Sequence, residues 1–140
     1  MIYLVLALAA MGSDAGARPA VQTACVAGPF MAFFVSGSDS IRPEAAAILD
    51  NAASAYQACG DAQAMIAGHT DRAGVDTVNV GLSQRRAANV RDYLVSRGIP
   101  EGSITAQAFG ESRPLVETAD GVKEPQNNRV EITFGPGSGW

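Results

Sequence analysis

Residues 62–99 read AQAMIAGHTDRAGVDTVNVGLSQRRAANVRDYLVSRGI, and they decide the fold. The first six residues form a short run that reads as a strand and delivers Gly68-His69-Thr70-Asp71 at its C-terminal end. From about 76 to 97, Val80, Ala87, Val90 and Leu94 recur on one helical face until Gly98-Ile99-Pro100 ends the run. The stretch is therefore a strand, a loop and a helix. Loops after strand ends are where α/β sheets place their ligands, so fold and function are read from the same segment.

Outward from this unit the pattern repeats. Residues 29–35, PFMAFFV, read as a buried strand closed by the polar run SGSDS. Pro43 suits a first helical turn and Glu44 favours the positive end of the dipole. Ala45, Ile48, Leu49, Ala52 and Tyr56 then keep helical spacing until Gly60. Residues 103–109 read as a third strand. After a polar loop with Pro114, Gly121 and Pro125, residues 129–134 alternate Val130, Ile132 and Phe134 inward against Arg129, Glu131 and Thr133 outward. The predicted fold is an α/β sandwich of order β-α-β-α-β-β, a mixed four-stranded sheet with the helices on one face.

The 140 residues, 47% of them hydrophobic, suffice for one domain with a core and are too few for two. The formal charge is −4, and the ten Lys and Arg are scattered, so no stripe exists to follow a phosphate backbone and nucleic acid is not expected as a partner.

Residues 1–10 are almost wholly apolar and lead to Ala15-Gly16-Ala17, which has the small-x-small form of a cleavage site. A signal peptide over residues 1–17 is expected, because about ten apolar residues fall short of the roughly twenty that span a membrane. Residues 18–28 form an N-terminal segment, 29–135 the domain and 136–140 a flexible tail. Cys25 is a weak lipoprotein cysteine: Gln22 stands where an aliphatic residue is wanted, and the apolar run is distant. A strand followed by an antiparallel return helix brings the helix end back to the strand start, where Cys59 and Cys25 fall, so a Cys25–Cys59 disulfide is expected in an oxidising compartment.

His69 beside Asp71 suggests a catalytic pair, but acyl transfer also needs a nucleophile and an oxyanion site, and no nucleophile elbow is present. One histidine with two distant cysteines does not make a metal site. The simpler role for His69 is a ring hydrogen bond that shapes its loop. Asn79, Ser83 and Arg86 follow at steps of four and three along one helical edge, and that edge adjoins the apolar stripe. Asp71 in the preceding loop and Arg86 at the core rim make either a plain salt bridge or a receptor for a zwitterion. In the receptor, the carboxylate takes an ammonium and the planar fork takes a carboxylate. Arg85 points away from the stripe.

The stretch from Gly68 to Ile99, FGESRPLV at 109–116 and EPQNNRVEITF at 124–134 together resemble the C-terminal OmpA-like domain family, with several separated motifs in the right order. The resemblance covers about residues 30–134. It implies non-catalytic binding of peptidoglycan in the periplasm, chiefly through the diaminopimelate residue of the stem peptide, with no cofactor. By motif position it assigns Asp71 and Arg86 to the grip on that residue, and Thr70, Asn79 and Arg129 to supporting places. Val35 stands where the family often has an acid, and Asn128 where it usually has the first of two arginines; neither position is expected to touch the central pair. An outer-membrane protein partner would supply the membrane half of the family's linking role. The alternatives are an interaction module of a larger envelope complex and a hydrolase using His69 and Asp71.

Overall fold

The computed structural model describes residues 25–60 and 62–135. Its elements are β1 (Phe30–Phe33), α1 (Pro43–Tyr56), β2 (Ala64–Gly68), α2 (Asp76–Ser96), β3 (Ile104–Ala108) and β4 (Arg129–Phe134), the order read from the sequence. The sheet runs β1-β4-β2-β3. β4 lies antiparallel to both β1 and β2, while β2 and β3 are parallel, so the sheet is mixed. β1, β2 and β3 run in one direction, so both connections between them are crossovers, supplied by α1 and α2.

The alternation in β4 explains its inner position. Val130, Ile132 and Phe134 are all but fully buried, and Ile132 pairs with Phe30 on one side and Ile66 on the other. α1 starts at Pro43, buries Ala45, Leu49, Ala52 and Tyr56, and runs through a 3-10 turn at Gln57–Cys59 to Gly60. α2 buries Ala87, Val90 and Leu94 in the same cluster, so both helices cover one face of the sheet. Each large aliphatic side chain buried there contributes on the order of 1.5–3 kcal/mol.

Two local features set up the site. β2 and α2 approach so closely at Gly68 that a Cβ would collide with the carbonyl oxygen of Ser83, and only glycine fits. The first strand ends at Phe33 rather than at residue 35. Phe34 still donates its N–H to the Asn128 carbonyl at 2.8 Å, but Val35–Ser38 then turns over Gly37 at φ 78°, with Ser38 N–H donating to the Val35 carbonyl at 2.9 Å. This turn aims two carbonyls inward, and both are used below.

Cys25 and Cys59 form the expected disulfide, which excludes a lipid-bearing Cys25 in this form. The expected signal peptide over 1–17, the N-terminal segment up to residue 24 and the tail at 136–140 lie outside the described residues. Among the described residues, no helix is long and apolar enough to cross a membrane.

Candidate functional site

The loop after β2 is fastened by backbone. His69 N–H donates to the Arg129 carbonyl at 2.9 Å and Thr70 N–H to the Gly110 carbonyl at 2.8 Å, extending the pairing of β2 on both sides. The segment carrying Asp71 is thus held as firmly as the strand that delivers it.

Arg86 is fully buried. Its Nε donates to the Ser38 carbonyl at 2.7 Å, one Nη1 hydrogen to the His69 carbonyl at 2.8 Å, the other to Asn128 Oδ1 at 3.0 Å, and Nη2 to the Val35 carbonyl at 3.0 Å. These four bonds use all but one of the five N–H groups of a guanidinium. The cation also lies 5.1 Å from the centroid of the Phe34 ring. Burial lowers its pKa to about 10, opposed by the nearby Asp71 charge, so Arg86 remains a cation at neutral pH. It ties the turn after β1, the loop after β2 and the approach to β4 into one unit.

The carboxylate of Asp71, a residue only 3% exposed, accepts four hydrogen bonds. Oδ2 takes Ser36 Oγ–H at 3.1 Å, Glu124 N–H at 3.3 Å and Asn128 Nδ2 at 2.8 Å, whereas Oδ1 takes only Ala73 N–H at 3.1 Å. Asp71 and Arg86 form no direct ion pair within 4.0 Å. Asn128 stands between them, donating to Asp71 Oδ2 and accepting from Arg86 Nη1 and from Asp71 N–H at 3.2 Å. This corrects the expectation that the departures at Asn128 and Val35 leave the central pair untouched. Asn128 bonds both members, and the Val35 carbonyl bonds one.

Two of the three supporting residues join this cluster. Thr70 Oγ1 donates to the Asp71 carbonyl at 2.8 Å. Asn79 Nδ2 reaches the carbonyls of Asp71 at 3.3 Å and Ala73 at 3.0 Å, and Glu111 Oε1 at 3.0 Å. Ser83, on the same helical edge, accepts Gly110 N–H at 2.9 Å and so fixes the loop after β3.

The structure does not bring Arg129 to this cluster. Its guanidinium lies on the sheet face away from the helices, buried against Glu131 Oε2 at 2.8 Å and the carbonyls of Asn127 at 3.2 Å and Arg113 at 3.1 Å. The expected outward residue is buried because these partners enclose it. His69 lies on the same face, stacked on Phe109 at 5.4 Å between centroids. The expected ring hydrogen bond to the loop is not found: Nδ1 has no partner and Nε2 lies 4.0 Å from Glu131 Oε2. It is the backbone of His69 that shapes the loop. Burial, with Arg129 and Arg113 adding their charges, lowers the imidazole pKa from 6.5 to about 3, so the ring is neutral.

Two cavities meet at Asp71. The larger, about 750 Å³, has apolar walls from Phe33, Phe34, Val35 and Pro125. The smaller, about 350 Å³, opens toward α2 at Val78 and Leu82. Ser36, Asp71 and Lys123 line both. Sequence reasoning missed Asn128, Ser36, Lys123 and Asn127, whose Oδ1 accepts Leu115 and Val116 N–H at 2.8 Å each and holds the long loop before β4. The one local signal was the Asn127-Asn128 pair immediately before a strand, where side-chain amides commonly bond backbone.

Residues 33–129 match the model of the OmpA family. The chain belongs to the OmpA family. Outer membrane protein A of Escherichia fergusonii is 43% identical to this OmpA-family domain over 88 residues, which are 61% of the chain and 36% of that protein. The chain therefore spans about a third of that relative's length. The peptidoglycan-associated lipoprotein of Burkholderia pseudomallei superposes with a TM-score of 0.67 at 26% identity, over 74% of this chain and 88% of that one. The cell wall anchor of the type VI secretion system of Pseudomonas aeruginosa gives 0.62 at 31% identity, over 74% and 76%.

Proposed function

We propose that this domain binds peptidoglycan without catalysis, by holding the free amino-acid end of the diaminopimelate residue in the stem peptide, and so anchors its bearer in the cell envelope on the periplasmic side. The observation that carries the reading is the recessed Asp71 carboxylate, with Oδ1 holding a single donor, where two clefts meet. A carboxylate offers about four lone-pair sites, and the unsaturated oxygen suits an ammonium. Arg86 serves as the buried cation that orders the loops around Asp71, and Thr70 and Asn79 brace the same loop. Arg129 acts from the other sheet face, through the backbone bond between its carbonyl and His69. The likeness to a peptidoglycan-associated lipoprotein and a cell wall anchor supports the substrate class. A hydrolase built on His69 and Asp71 is disfavoured by the separation of the imidazole from the carboxylate across the sheet. An outer-membrane protein partner would complete the link from wall to membrane.

The test is co-sedimentation with diaminopimelate-type sacculi. The protein is expected in the pellet. Asp71→Asn keeps an amide oxygen for the Oδ2 donors but loses the anion, and Arg86→Lys loses the fork that joins three segments; each is expected in the supernatant. Wild-type-like sedimentation of a folded Asp71→Asn protein would overturn the site.

A further inference from the structure

Resting on that reading, a domain that anchors its bearer to the wall carries tension, and the fold fixes the path that tension takes. β1 and β2 run in one direction, each antiparallel to β4 between them. Cys25 lies ahead of β1 and Cys59 ahead of β2, so their disulfide sits at the end of the sheet where both strands begin. The chain is also tied there by a hydrogen bond, because Phe134 N–H donates to the Ala27 carbonyl at 2.8 Å while Phe134 pairs with Ala64. Asp71 lies at the other end, beyond the five residues of β2, which span about 17 Å. A pull that enters through the chain upstream of Cys25 and is resisted at Asp71 therefore runs lengthwise along the strands.

Two covalent routes lead from Cys25 to Asp71. One follows the chain through β1 and α1. The other crosses the disulfide to Cys59 and reaches Asp71 twelve residues later, through β2 alone. The shorter route tightens while the longer is still slack, so it takes the load. β2 suits that task, being paired on both sides, whereas β1 is an edge strand paired with β4 only. With the bond closed, β1 and α1 hang outside the loaded path. With it open, the same pull falls on β1, and peeling this edge strand draws away the turn that follows it. That turn supplies the Val35 and Ser38 carbonyls to Arg86 and the Ser36 hydroxyl to Asp71.

We infer that the Cys25–Cys59 disulfide is a mechanical bypass: it routes tension from the upstream chain into the inner strand β2 and keeps β1, α1 and the turn over Gly37 unloaded, so that the domain holds its ligand under pull as it does at rest. The bond is remote from the site, and its contribution to binding emerges only under load.

The experiment has two arms. In the first, optical tweezers hold the full chain between a handle upstream of Cys25 and a click-reactive side chain replacing Val75, which is 63% exposed at the start of α2. This geometry loads the same route and needs no ligand. A Cys25→Ser, Cys59→Ser double variant, and wild type reduced with a dithiol after folding, are each expected to release the stretch between the two cysteines, 34 apart in sequence, in a separate step at lower force than the one that opens β2. That step lengthens the chain by about 100 Å, and oxidised wild type lacks it. In the second arm the upstream handle pulls the protein off diaminopimelate-type sacculi at constant load. Oxidised and double-variant proteins should dissociate alike at rest, while under load the variant's attachment lifetime falls about tenfold, the scale of one charge-assisted hydrogen bond lost from the site. A double variant and a reduced protein that open in one step at the wild-type force overturn the inference, as do equal lifetimes under load. A wild type that never attaches to sacculi removes the proposed function instead, and the first arm still decides the load path.

Discussion

Asn128 Nδ2 lies 2.8 Å from Asp71 Oδ2, and Oδ1 of the same amide accepts Arg86 Nη1 at 3.0 Å. An amide can donate to an anion and accept from a cation at once, so it joins the two charges where they do not touch. Asn128 is fully buried, which makes each of those bonds costly to leave unmade.

Asn128→Ala should therefore destabilise the domain by about 2–4 kcal/mol, because Asp71 N–H and one Arg86 N–H lose their acceptor and Oδ2 loses a donor. For a domain of this size that is a fall in Tm of roughly 10 °C or more. Thermal unfolding followed by circular dichroism reads it. A loss of under about 0.5 kcal/mol would mean that Asp71 and Arg86 hold their places without the amide.

His69 predicts an acid sensitivity. At pH 8 the ring is neutral in both folded and unfolded chains. Below 6.5 the unfolded chain takes up a proton that the folded one refuses until about pH 3, so this residue's contribution to stability falls as pH drops through that window. Between pH 8 and 5 the loss is about 2 kcal/mol. His69→Phe, which keeps a ring against Phe109, should flatten that part of the curve in urea unfolding at stepped pH. Parallel curves for the two proteins would show that His69 does not titrate this way.

The disulfide closes a loop between residues 34 apart in sequence. Chain entropy alone assigns it about 4 kcal/mol of stabilisation. A Cys25→Ser, Cys59→Ser double variant should lose stability of that order in denaturant titration while keeping the sheet, since neither cysteine touches the Asp71 cluster. Its binding to sacculi under native conditions should be unchanged.

Sequence alone determined the element order, the helix-covered sheet face and the cysteine pair. Each follows from short-range physics: period two in residues 129–134, helical stripes on α1 and α2, glycine and proline at the ends, and a return helix that brings Cys59 back to Cys25. It also picked out Asp71 and Arg86, because Asp71 follows a strand end and Arg86 sits at the rim of a helix's apolar stripe. It could not say how the two relate. That was settled by segments far apart in the chain: Val35 and Ser38 offering carbonyls, Asn128 arriving 57 residues after Asp71, and a long loop folding back to set Lys123 at the rim. Alternation put Arg129 on the outward face, but it tells which residues share a face and not what waits there to bury them, nor that the His69 ring joins Arg129 there. Periodicity is local and writes itself in the sequence; hydrogen-bond partners brought together by the fold do not.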